Sequence, residues 1–159
     1  MIQFKPYPMN DVQDLSSVLK CVSLPLTDSY SDLWQCKAFV VQDSERTVGF
    51  CAYEFLSDET AIVRMIYIVP EERGNQFGDA LIRSVLNSIE IHGRDRVIFM
   101  GNSDELAFYA HEGMKAIDAG FILSEDLKNL STIDLEALNG LYLSSIKGFF
   151  SKPCKGHGK

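Results

Sequence analysis

The chain has 159 residues, 46% hydrophobic and 23% charged, a balance that suits a folded domain with a sizeable core and excludes a disordered chain. A net charge of −7 repels phosphate backbones, so nucleic acid is not an expected partner, although a small anionic ligand needs only a local patch of amides. No run reaches the roughly 18 apolar residues of a membrane span, MIQFKPYP carries no signal-peptide pattern, and the four cysteines form no CxxC pair; a cytoplasmic protein with no membrane partner and no bound metal is expected.

Ile2 to Lys5 reads as a first strand closed by Pro6 and Pro8. Asn10, with Gln13 three residues on, has the spacing of a helix capping box, and Val12, Leu15, Leu19 and Val22 form an apolar face at helical spacing. Residues 26–36 are ambiguous and read as a short helix. Ala38–Gln42 and Arg46–Phe55 form a hairpin about the turn Asp43–Glu45, and Ala61–Val69 is a strand rich in Ile and Val.

The period then changes. After PEERGNQFG, residues Leu81, Ile82, Val85, Leu86 and Ile89 recur at helical spacing, with Gly93 at the C-cap. Arg96–Met100 reads as a strand, Asn102 or Ser103 as the cap of a short helix ending at Gly113, and Met114–Ile117 as a strand. Helices and strands alternate only in the second half, which implies an α/β chain of α+β-like type with a mixed sheet. A main domain over 1–123 is expected, followed by an extension, 124–159, with an amphipathic helix at 132–147 and a mobile end. Cys154 and His157 in that end are too few to hold a metal.

The strand–turn–helix across Pro70, Glu71, Glu72, Arg73, Gly74, Asn75, Gln76, Phe77, Gly78 and Asp79 can carry chemistry. Amides that feed a helix start lack internal acceptors, and the helix dipole adds positive charge, so phosphate binds there readily. Arg73 would add one charge-assisted contact. An ordinary strand-to-helix turn, with the glycines serving geometry alone, fits the pattern equally well.

The segment IYIVPEERGNQFGDALI resembles the coenzyme-A-binding motif of the GNAT superfamily of N-acetyltransferases, an apolar strand end followed by Pro-Glu-x-Arg-Gly-x-Gly-x-Gly and an apolar helix. Ile66, Ile68, Pro70, Glu71, Arg73, Gly74 and Gly78 fall on it without gaps, and Gln76 stands where a glycine is usual. Downstream, Asn102 and LAFYAHEGM resemble the family's second motif, with Ala107 one position before Phe108. The likeness covers most of 1–118.

This resemblance implies an acyl-CoA N-acyltransferase fold, a mostly antiparallel sheet flanked by helices on both faces. It implies acetyl-CoA as co-substrate, its arm pairing with the backbone of Ile66, Tyr67 and Ile68 and its pyrophosphate on the amides of Arg73 to Asp79. Asn102 would bond the arm, cap its helix, or do both. Tyr109 is the implied general acid for the leaving thiolate, against a reading in which it only packs. Glu54 and Glu59 are candidate bases, where solvated turn charges are the plainer reading; Arg64 points either to solvent or toward the acceptor. The acceptor is a small-molecule or peptide amine, and a homodimer is a further partner the family implies. A catalytically idle acyl-CoA-binding regulatory module is the alternative. A nucleotide-binding protein ranks last, because there is neither Gly-Lys-Ser/Thr nor GxGxxG.

Overall fold

The computed structural model describes residues 1–28, 30–117 and 140–151. Its elements are β1 (Ile2–Tyr7), α1 (Val12–Cys21), a 3₁₀ turn (Leu33–Gln35), β2 (Lys37–Asp43), β3 (Arg46–Phe55), β4 (Thr60–Ile68), a second 3₁₀ turn (Pro70–Glu72), α2 (Phe77–Ile91), β5 (Arg96–Phe99), α3 (Ser103–Glu112), β6 (Lys115–Ala116), β7 (Leu141–Leu143) and α4 (Ile146–Phe150). Among the described residues, seven strands hydrogen-bond in the order β1-β2-β3-β4-β5-β7-β6. β4 pairs parallel with β5, whereas β1–β2, β2–β3, β5–β7 and β6–β7 are antiparallel, so the sheet is mixed and mostly antiparallel, as the element order implies.

The chain divides into two compact units, Met1–Glu54 with Arg64–Val85, and Phe55–Val63 with the described residues from Leu86 onward. The expected boundary at 123/124 falls outside the described residues.

In the first unit, Leu15, Val18 and Leu19 of α1 join Ala38, Val40, Phe50, Ala52 and Met65 of the strands in one apolar core, completed by Leu33 and Cys36. Val12, expected on that face, is 38% exposed, and Val18 takes the buried position instead. The helix is capped one residue later than expected: Asp11 accepts from the Asp14 amide at 3.0 Å, and the Asn10 amide donates to the Asp14 carboxylate. β1 runs through Pro6, which pairs with Phe39; β1 is an edge strand, where a residue without an N–H is tolerated. The short helix expected within 26–36 is only the 3₁₀ turn at Leu33–Gln35.

In the second unit, the first residues of β4 pair parallel with β5, from Thr60↔Arg96 to Val63↔Phe99. β7 then pairs antiparallel with both β5 and β6. This corrects the expected helix at 132–147. Residues 141–143 are a strand, the last helix begins only at Ile146, and 132–139 lie outside the described residues, as do Cys154 and His157. Backbone pairing with β5 makes 141–143 a strand where helical spacing was expected. Ser145 caps α4, and the Asp95 carboxylate accepts from the Ile146 and Lys147 amides.

Candidate active site

The parallel pairing of β4 with β5 ends at Val63↔Phe99, and β4 continues through Arg64, Met65, Ile66 and Tyr67 to Ile68. Ile66 is buried and Ile68 half-buried. Gly49 on β3 lets Ile68 in: a Cβ on that glycine would stand 2.6 Å from the Ile68 side chain and 2.9 Å from Val41. The hairpin end is closed by the Val69 amide donating to the Val48 carbonyl at 2.9 Å.

Beyond Val69 the chain makes the 3₁₀ turn at Pro70–Glu72, in which Pro70 supplies a preset φ. Gly74 (φ 89°) and Gln76 (φ 65°) both lie in the left-handed region. Gln76 therefore adopts the glycine-like backbone despite its side chain. The first helical bond of α2 runs from the Ala80 amide to the Gln76 carbonyl at 3.2 Å. α2 thus begins at Phe77, and Gly78 and Asp79 belong to its first turn. Amides in that turn point along the axis without intrahelical acceptors and carry the positive end of the dipole. The Phe77 ring meets Phe4 edge-on at 6.3 Å, and the Asp79 carboxylate holds Arg83 at 3.2 Å.

Arg73 does not extend outward. Its Nε donates to the Ile68 carbonyl at 2.9 Å, and its guanidinium lies over the Tyr67 ring, 5.2 Å from the centroid. Asn75 donates to Glu72 at 3.2 Å, tying the turn to the residue before it.

The candidate base Glu54 is in the same unit. Its carboxylate accepts from Arg64 at 2.5 Å and from the Cys36 thiol at 3.7 Å, while Arg64 also reaches Asp32 at 3.0 Å. Of the two readings open for Arg64, the side chain turns inward, at 13% exposure, onto these carboxylates. Burial disfavours its charge, but the hydrogen bonds with Asp32 and Glu54 outweigh that and raise its pKa. Burial, and then the Glu54 charge, push the Cys36 thiol up to about 12, so it is a poor nucleophile. Sequence reasoning had not found this group. An arginine inside an apolar strand signals that partners exist, but Asp32 and Cys36 come from a distant turn.

In the second unit, Asn102 is the cap of α3. Its side chain accepts from the Glu105 amide at 2.9 Å, and the Glu105 carboxylate accepts from the Asn102 amide at 3.1 Å. Tyr109 is fully buried, its ring 4.7 Å from Phe99 and 5.6 Å from Phe108. Glu59 is exposed in the β3–β4 turn; its carbonyl accepts from the Asp95 and Arg96 amides at 3.3 and 3.2 Å. Glu54 and Glu59 thus fall in different units.

The sequence pattern of one family, described as an acetyltransferase (GNAT) domain, matches residues 34–115, just over half of the chain. This protein belongs to the GNAT family of acetyltransferases. Solved structures with the same fold include N-acetylglutamate synthase from Neisseria gonorrhoeae complexed with coenzyme A and N-acetyl-glutamate. That likeness has a TM-score of 0.63 and 9% identity, and covers 89% of this chain but only 34% of that one. Rv2747 from Mycobacterium tuberculosis, solved in complex with CoA, has a TM-score of 0.61 and 14% identity over 90% of this chain and 98% of its own. A GNAT acetyltransferase from Elizabethkingia anophelis with acetyl-CoA bound has a TM-score of 0.60 and 12% identity, over 74% and 78%. At these identities the likeness establishes the acyl-CoA N-acyltransferase fold. No curated protein sequence matches this one.

Proposed function

We propose that the protein transfers the acetyl group of acetyl-CoA to a primary amine by direct attack in a ternary complex. One observation carries the cofactor half of this reading. A proline-initiated turn with two left-handed residues, Gly74 and Gln76, delivers the chain into α2. Such a turn gathers amides and a helix dipole at one point, which is what a pyrophosphate requires. The cofactor arm would run along the β4 backbone at Ile66 to Ile68, and its pyrophosphate would sit on the amides of Arg73 to Asp79. Arg73 would then exchange its bond to the Ile68 carbonyl for the arm or the phosphate.

In the reaction, the neutral amine nitrogen attacks the thioester carbon and forms a tetrahedral adduct. The adduct collapses by breaking the C–S bond, and the nitrogen gives up a proton to a base. Tyr109 is the group assigned to protonate the departing thiolate, an assignment supported by its match to the family's Phe-Tyr pair. Its burial calls for access to open when ligand binds. For the base, Glu54 carries the ion pair with Arg64 and Glu59 lies open to solvent, so Glu54 is the one with a defined geometry. The amine is a small molecule or a peptide terminus, and a cytoplasmic setting and a homodimer go with the same reading.

The test follows free thiol released from acetyl-CoA in the presence of a panel of amines. Turnover that needs an amine, and a kcat lowered roughly 10²-fold in Tyr109→Phe with KM for acetyl-CoA little changed, is the expected result. Tight acetyl-CoA binding without turnover on any amine would favour the idle regulatory module instead.

A further inference from the structure

The turn that would receive a pyrophosphate opens with two carboxylates, Glu71 and Glu72, which is unfavourable company for a polyanion. Both are met by a single cation from another strand. Arg46, the first residue of β3, binds Glu71 through one guanidinium nitrogen and Glu72 through the other, the latter at 3.5 Å. Glu72 in turn uses its second oxygen to hold Asn75 within the turn. A hydrogen bond from its own backbone, then Arg46, hold the Glu71 carboxyl below the usual carboxylate range, and like any exposed glutamate it is charged at neutral pH. Arg46 and Glu71 are more than half exposed, and pairs of that kind contribute little to stability.

We propose that Arg46 is an electrostatic positioning residue for the polyanionic cofactor: it neutralises the two carboxylates at the mouth of the turn and, through Glu72, fixes Asn75. It touches no reacting atom. This inference rests on the acetyl-CoA reading above. A substitution that removes the cation leaves uncompensated negative charge beside the phosphates. In water, one unit charge near a ligand carrying several charges changes affinity roughly 3- to 10-fold.

The experiment titrates wild type, Arg46→Gln and Arg46→Lys with coenzyme A and with dephospho-coenzyme A, at about 0.05 M and about 0.5 M salt. The expected result is a roughly 3- to 10-fold weaker Kd for coenzyme A in Arg46→Gln at low salt. Arg46→Lys should stay near wild type. The loss should be smaller for dephospho-coenzyme A, which carries less charge, and should shrink at high salt. Equal affinity of Arg46→Gln and wild type, or a loss indifferent to salt and ligand charge, overturns the proposal. A wild type that binds neither ligand defeats the cofactor reading itself, a different outcome from either.

Discussion

Gln76 holds a backbone conformation, φ 65°, that costs a side-chain-bearing residue roughly 1 kcal/mol. Replacing it with glycine removes that strain but loosens the unfolded chain, and the two effects oppose each other. Gln76→Gly should leave stability unchanged or raise it by at most about 1 kcal/mol, whereas Gln76→Val, β-branched at positive φ, should lower it by about 1–2 kcal/mol. Urea denaturation checks both; a clear loss in the glycine variant would mean that the amide side chain itself holds the turn. The sequence exposed the departure at this position, and the backbone at Gln76 meets it by adopting the glycine conformation. Cys36 offers a pH test. Its thiol is pushed up to about 12 in the folded state, above the ordinary value of 9.0, so folding favours the protonated form. That contribution is complete below about pH 9 and is lost as pH rises from there toward 12. Wild type should therefore lose more stability between pH 8 and pH 10.5 than Cys36→Ala does. Equal losses would contradict the buried-thiol account.

The strands of the β2–β3 hairpin and α2 were legible because turns and apolar periodicity bracket them locally. β3 spans Arg46–Phe55, the bounds expected of the strand that follows the turn Asp43–Glu45. β7 was not legible. Its three residues owe their form to hydrogen bonds with β5 and β6, contacts that local spacing does not encode. Gly49 was overlooked for a similar reason, since its need for a bare Cα arises from Ile68 on the neighbouring strand. Gly49→Ala should overpack this point, cost about 1–3 kcal/mol, and weaken acetyl-CoA binding by displacing the end of β4. Thermal unfolding alongside ligand titration separates the two effects, and an unperturbed variant would show that Ile68 can yield. At α3, the capping box at Asn102 and Glu105 predicts that Asn102→Ala costs about 1 kcal/mol, while Asn102→Asp retains the cap. If Asn102→Asp keeps stability but loses cofactor affinity, the residue serves the ligand as well as the helix.

The family and its fold were readable from two motifs in order, because each is a strand-to-helix junction with its own residue signature. The turn at 73–79 was readable too, since backbone geometry there depends on local glycine and proline. What escaped were the long-range polar groupings: Arg64 with Glu54, Asp32 and Cys36, and Arg46 with Glu71 and Glu72. Each joins residues far apart in sequence, and no periodicity announces it. The acceptor is illegible for the same reason, being recognised by whatever side chains the fold gathers. The cofactor claim can be tested without knowing the acceptor. Calorimetric titration of the protein with acetyl-CoA, beside a Gly78→Glu variant shown by circular dichroism to be folded, addresses it directly. The variant sets a carboxylate and its bulk in the first turn of α2, where a phosphate would rest. Saturable binding near one equivalent in the wild type, and its loss in the variant, is the expected result. Absent binding in the wild type, or binding that Gly78→Glu leaves untouched, would contradict the cofactor claim.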